Sequence, residues 1–207
     1  MDWTNIYLKT CDVNVFVLGT GEVATRRANT FLDHGANVRL AGNYLDQVLE
    51  YKGAHLCSTD DVDELVKWAD IVVVASDDLE LCDYVSEISK DKLLNRADFP
   101  QEGNVMVPSS FKIGEDIEIS ISTNGKSPLM AKQLRKKIQE VITEEDILEI
   151  EIQDYVRSKL KDVVRGQKQR KDYLYKIFED EKVRDLIRSK DMDQTKSYID
   201  ELIRGLQ

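Results

Sequence analysis

The chain has 207 residues, enough for one domain or two small ones with a sizeable core. Hydrophobic residues make up 42% and charged residues 33%, a globular balance that excludes a disordered or collagen-like chain, and the formal net charge of −10 argues against general nucleic-acid binding. No apolar run approaches the roughly 20 residues of a membrane span, Met1-Asp2-Trp3-Thr4-Asn5 lacks the pattern of a secretory leader, and Cys11, Cys57 and Cys82 form no CxxC pair, so a cytoplasmic protein without disulfides is expected.

Val13-Asn14-Val15-Phe16-Val17-Leu18 reads as a short apolar strand. Residues 22–34 carry helical spacing of Val23, Ala24, Ala28, Phe31 and Leu32, and Gly35 follows as a helix stop. Residues 37–41 read as a second strand and residues 54–57 as a short third. Residues 60–68 read as a helix with an aspartate cap, and Ile71-Val72-Val73-Val74-Ala75 as a strand buried on both faces. Residues 78–89 read as a helix and residues 93–95 as a further strand. This alternation predicts right-handed βαβ units and a parallel sheet, the Rossmann-like α/β arrangement.

From residue 105 the pattern changes. Phe111-Lys112-Ile113 and Ile117-Glu118-Ile119-Ser120-Ile121-Ser122 alternate with period two, as half-buried antiparallel strands do, so a second layer or an interface is expected there. A helix opens at Ser127-Pro128, with Ser as N-cap and Pro at the first helical position. Beyond Thr143 there is no proline, the only glycines are Gly166 and Gly205, and apolar residues recur at helical intervals, which predicts several amphipathic helices.

Charge is unevenly spread. Residues 1–124 hold 10 basic and 22 acidic side chains, and residues 143–207 hold 14 and 16. Between them, Lys126, Lys132, Arg135, Lys136 and Lys137 face Glu140 alone. That segment reads either as a solvated helix face or as a landing place for an anionic ligand.

Gly19-Thr20-Gly21-Glu22-Val23-Ala24 is a GxGxxA loop that follows the first strand and opens a helix. Gly19 permits the tight turn, Gly21 lets backbone approach a pyrophosphate, Ala24 allows close helix–strand packing, and the helix N-terminus favours the anion. A dinucleotide is the expected cofactor, with Gly19, Thr20, Gly21, Glu22 and Val23 as candidate contacts. The second strand ends Leu40-Ala41-Gly42-Asn43-Tyr44, without the usual acid. Asn43 can hydrogen-bond a ribose, Arg39 can meet a 2′-phosphate or lie solvated, and the choice between NAD and NADP stays open.

Ser76 and Asp77 follow the fourth strand, at the edge where open α/β sheets bind ligands. Read alone, Asp77 or Asp78 serves equally as a cap for the next helix. Asp98 follows the fifth strand on the same edge, where a carboxylate can exchange a proton while a hydride moves, or simply shape a turn. Ser122-Thr123-Asn124-Gly125-Lys126-Ser127-Pro128 joins hydroxyls, a lysine and a helix N-terminus, which suits carboxylate or phosphate ligands. His34 and His55 read as structural, and no Cys/His cluster exists, so no metal site is expected.

Together these stretches resemble the precorrin-2 dehydrogenase family, which includes the N-terminal module of siroheme synthase. The resemblance rests on Val17-Leu18-Gly19-Thr20-Gly21-Glu22-Val23-Ala24-Thr25-Arg26-Arg27-Ala28, His34-Gly35-Ala36-Asn37-Val38, Ala75-Ser76-Asp77-Asp78-Leu79-Glu80-Leu81 and Ile119-Ser120-Ile121-Ser122-Thr123-Asn124-Gly125-Lys126-Ser127-Pro128, and covers roughly residues 10–142. It implies NAD-dependent oxidation of precorrin-2 to sirohydrochlorin and, in some members, insertion of ferrous iron at the same site to give siroheme. It further implies a homodimer held by strands after the Rossmann domain. Asn95-Arg96-Ala97-Asp98 with Val107-Pro108-Ser109 matches the family's aspartate pattern, so Asp98 inherits the catalytic role. Ser122 matches a serine beside the tetrapyrrole, and Asn124, Lys126 and Ser127 join it as candidate substrate contacts. The basic segment 126–137, with Arg26 and Arg27, would hold the carboxylates of the substrate. The chain departs from the family at Gly42-Asn43-Tyr44, where Ala-Pro-Glu or Ala-Pro-Asp is frequent, and at Thr20, where glycine is common.

The expected organisation is a nucleotide-binding domain over residues 1–109, dimerisation strands with a basic helix over 110–142, and a helical region over 143–207. The competing reading is a non-catalytic Rossmann module that senses a nucleotide and signals through its helical tail. Such a module needs neither Asp98, nor the SxxGKSP-type loop, nor the basic helix.

Overall fold

Five parallel strands form the central sheet of a computed structural model that describes residues 3–206: β1 (Asn14–Leu18), β2 (Asn37–Ala41), β3 (His55–Cys57), β4 (Ile71–Val74) and β5 (Leu93–Arg96), in the order β3-β2-β1-β4-β5. Residues 1 and 2, part of the segment read for a leader, lie outside the described residues. The chain divides into two units, the first ending at Val107 and the second beginning at Pro108.

In the first unit the strands are covered on both faces, which is why they read as unbroken apolar runs. On one face Val15, Val17, Val38, Leu40 and Val73 pack with Ala24, Ala28 and Phe31 of α1 (Glu22–Leu32) and Leu49 of α2 (Gln47–Tyr51). On the other, Phe16, Leu18, Val72, Val74 and Leu94 pack with Leu65 and Val66 of α3 (Val62–Trp68) and Cys82 and Val85 of α4 (Leu79–Ile88). Leu18 pairs with both Ala41 and Val74, and Val74 with Arg96, so β1, β2, β4 and β5 end along one edge. The open side of β5 is covered by residues 103–105: the amides of Asn104 and Val105 both donate to the Leu94 carbonyl, and Asn104 Oδ1 accepts from the Leu94 amide at 2.7 Å. An edge strand is thereby paired without a sixth strand.

Two local expectations are corrected. The aspartate cap expected at residue 60 is absent: Ser58 accepts from the Asp60 amide, a 3-10 turn spans Thr59–Asp61, and α3 starts at Val62 with no side-chain cap. α2 was not expected at all; it is a single turn, capped by Asp46 through the Val48 amide, and too short to show a hydrophobic period.

The second unit begins with an antiparallel hairpin, β6 (Ser109–Ile113) and β7 (Ile117–Ile121), with Phe111 opposite Ile119. Gly114 turns it at a φ of +64°, where a Cβ would lie 3.3 Å from the Ile147 side chain. α5 (Pro128–Val141) follows, then α6 (Glu144–Val163), α7 (Gln167–Phe178), α8 (Glu181–Arg188) and α9 (Met192–Arg204). Ile152, Val156, Leu160, Ile177, Val183, Ile187, Ile199 and Ile203 form one apolar core from α6 to α9. Among the described residues no helix is long and apolar enough to cross a membrane.

Candidate active site

The C-terminal edge of the sheet collects the sequence-predicted residues of the first unit. Gly19 has a φ of +107°, and its amide donates to the Ala41 carbonyl at 2.8 Å. A Cβ there would stand 2.2 Å from the Ala75 carbonyl oxygen. The glycine therefore serves the turn and also lets the β1 and β4 ends close on each other. Gly21 is different: its φ of −73° suits any residue, and a Cβ would meet nothing within 4 Å. It stands at the N-cap of α1 with no side chain to cap the first-turn amides. Open space beside first-turn amides that no side chain caps fits a pyrophosphate, which would take the place of a capping carboxylate. Glu22 and Val23 are exposed beside it.

Thr20 has a structural duty that the motif did not suggest. Its side chain occupies the place where a Cβ on Gly42 would stand, 2.6 Å away, so the two residues fit together across β1 and β2. Contact between Thr20 and a cofactor would then come from backbone. Asn43 is exposed past the end of β2. Arg39 stacks 4.1 Å over the ring of Trp68, the last residue of α3 and hence at the opposite edge of the sheet, which leaves it away from any 2′-phosphate. Between α1 and α2 opens a hollow of about 470 Å³ whose lining includes Glu22, Thr25, Arg26 and Tyr44.

After β4, Ser76 Oγ accepts from the Asp78 amide at 3.2 Å, and Asp78 Oδ1 accepts from the Leu81 amide at 3.1 Å. Of the two acids, Asp78 is the cap of α4, and Asp77 is left exposed at the edge.

Asp98 is gripped. Arg96, only 2% exposed, donates through Nε to Asp98 Oδ1 at 2.9 Å and through Nη2 to Oδ2 at 2.5 Å. Its Nη1 reaches Asp83 at 3.2 Å and Ser86 at 3.1 Å on α4, and Glu102 at 2.9 Å. Burial pushes the Asp98 carboxyl upward, but the guanidinium and the backbone amides of Phe99 and Asp98 outweigh it and hold the group below the usual carboxylate range. The bond to Asp98, against the opposing pull of burial, pushes Arg96 up. The sequence reading gave Arg96 no role. The spacing alone does not reveal it: β5 ends at Arg96, and the bend at residues 97–98 turns Asp98 back onto the guanidinium.

Arg27 corrects another expectation. It is not part of an open basic surface: Nη1 donates to the Val107 carbonyl, and burial, with Arg26 beside it, lowers its pKa. It anchors the end of the first unit to α1.

The remaining candidates lie in the second unit. Asn124 and Gly125 turn the chain at φ values of +52° and +73°. Ser122 Oγ accepts from the Asn124 amide and Ser127 Oγ from the Met130 amide, each at 3.2 Å, so Ser127 is the N-cap of α5 as expected. Lys126, Lys132, Arg135, Lys136 and Lys137 are exposed. Among the described residues no group of His, Cys, Asp and Glu is arranged to hold a metal ion.

Comparison with known proteins bears on this arrangement. Residues 6–109 match a family model described as putative NAD(P)-binding, and residues 116–140 match one described as sirohaem biosynthesis protein central. A precorrin-2 dehydrogenase of Methanosarcina barkeri is 32% identical over 182 residues, covering 82% of this chain and 80% of its own. A putative precorrin-2 dehydrogenase of Methanocaldococcus jannaschii is 30% identical over 185 residues, covering 83% of this chain and 87% of its own. The solved structure of SirC, a precorrin-2 dehydrogenase, matches 95% of this chain and 100% of its own with a TM-score of 0.75 at 23% identity, a likeness of fold.

Proposed function

The chain belongs to the precorrin-2 dehydrogenase family, and on that premise we propose that it oxidises precorrin-2 to sirohydrochlorin with NAD bound at the C-terminal edge of the sheet. The observation that carries the reading is the open, uncapped start of α1 at Gly21. Bound NAD supplies the hydride acceptor. The residues that would hold it are the backbone from Gly19 to Val23, with Asn43 at the ribose and Ser76 and Asp77 beside β4. Asp98, past the end of β5, is assigned to the reacting macrocycle, either to take its proton or to stabilise its charge. Lys126 and the turn around Ser122, Asn124 and Ser127 are assigned to the substrate's carboxylates, since an acidic protein needs local cations to hold a polyanion.

Gly21→Val tests this. The variant should fold, because the φ is ordinary and the space is open, yet bind NAD about tenfold or more weakly, the loss that ~1.4 kcal/mol represents. Undiminished NAD affinity in the folded variant overturns the assignment.

A homodimer through residues 110–142 is part of the proposal. α5 has no buried residue, and Leu129, Met130, Leu134 and Val141 are exposed on it. A second copy would cover that apolar face. Sedimentation at micromolar concentration should give a dimer, and a stable monomer counts against it.

A further inference from the structure

The assignment of Asp98 to the reacting ring leaves two possible roles for its carboxylate, and the surrounding geometry separates them. Both carboxylate oxygens accept from the fork of one guanidinium, at 2.9 and 2.5 Å. The backbone amides of Phe99 and of Asp98 itself also donate to the group. Arginine stays charged in proteins, so a proton arriving on Asp98 would cost a bidentate pair with a cation that cannot lose its own proton. The cation is in turn held from two other elements, by Asp83 and Ser86 on α4 and by Glu102 after β5, and Phe99 lies 5.6 Å from it. The Cys82 thiol on α4 also faces this cluster, and burial pushes it up and keeps it neutral.

We propose that Arg96 is a positioning residue that holds Asp98 as a fixed anion, so that Asp98 stabilises positive charge on the macrocycle and does not serve as the proton acceptor. The proposal rests on the reading of Asp98 given above. In the oxidation a C–H bond of the macrocycle breaks and both electrons leave with the hydride to NAD. The macrocycle is left with a positive charge delocalised over its ring nitrogens, and an N–H proton is then released to water. A preoriented carboxylate favours the charged stage without having to reorganise.

The experiment is single-turnover oxidation of precorrin-2 at saturating NAD, from about pH 5 to pH 8, with an NAD titration of every variant. The parent should show no acid limb that belongs to Asp98. Arg96→Gln should lose about tenfold or more at neutral pH. It should also gain an acid limb, because Asp98 then faces Asp83 and Glu102 without their shared cation, and burial with two like charges pushes its pKa above the usual carboxylate range. Arg96→Lys should recover part of the rate and move the limb back down. Asp98→Asn should lose about a hundredfold at every pH.

A folded Arg96→Gln variant with the parent's pH profile overturns the proposal while leaving Asp98 in place. Parent-like turnover in Asp98→Asn overturns instead the underlying assignment. Should Arg96→Gln fail to fold, the parent decides: an acid limb with a midpoint above about pH 5 that vanishes in Asp98→Asn marks a carboxylate that Arg96 does not hold as an anion and overturns the proposal, and its absence upholds that hold.

Discussion

The two units bury polar groups very differently. Among the described residues, the first unit buries Thr10, Ser89, Asn95 and Arg96, and two of these stand at the end of β5, beside the proposed site. The second buries only Thr195, whose hydroxyl donates to the Asp191 carbonyl one turn earlier in its own helix. A buried arginine is costly unless its donors are all met, so it persists where something else needs it. The α6–α9 core has no such feature; it is a cluster of isoleucine, leucine and valine held by shape. Arg96 and Asn95 thus stand beside the proposed site, whereas Thr10 and Ser89 bond backbone carbonyls elsewhere, of His34 and Val85.

The strongest test of that contrast is Gly19→Ala. The added Cβ would stand 2.2 Å from the backbone oxygen of Ala75, just past β4, at a positive φ, and neither strand end can yield without breaking the sheet edge. A loss of about 4 kcal/mol or more is expected. Hydrogen exchange should show protection lost across the parallel sheet and kept from α6 to α9; equal loss in both units breaks the comparison.

In the second unit Ile199→Ala, at a fully buried site, should cost about 2–5 kcal/mol. Denaturant melts should show the loss, while NAD titration of the folded variant should match the parent. Weakened NAD binding would mean that the helical core does more than fold.

The smallest effect is a pH dependence. Burial raises the Asp200 carboxyl, but Tyr155, at 2.8 Å, and Lys159 outweigh it and hold the group below its usual range. A depressed folded value stabilises the fold above the unfolded value, near 4, and that contribution fades as pH falls through the folded value. Asp200→Asn should therefore be less stable than the parent at neutral pH and equal to it in strong acid. A difference that persists at low pH would assign the effect to packing.

The first unit was largely legible in its sequence because its signals are local. Ile71-Val72-Val73-Val74 can be little other than a strand covered on both faces, and the GxGxxA loop carries its own turn chemistry. Ser127-Pro128 announced α5 for the same reason: the cap and the fixed φ act within one turn. The 3-10 turn before α3 was missed because Ser58, Asp60 and Asp61 all offer plausible caps, and packing chose among them. α2 was missed because a single turn has no period to read.

By itself the sequence determined the strand–helix alternation, the GxGxxA turn, the hairpin and the capped helices, since period, caps and backbone preferences act over a few residues. Only the tertiary structure decided that Arg27 anchors Val107, that Thr20 fills the space above Gly42, that Asp78 caps while Asp77 stays exposed, and that Asp83, Ser86 and Glu102 close around the Arg96–Asp98 pair. Most of those contacts join residues distant along the chain or on neighbouring strands. They exist because register and packing bring the atoms within hydrogen-bond reach, and no local pattern carries that distance.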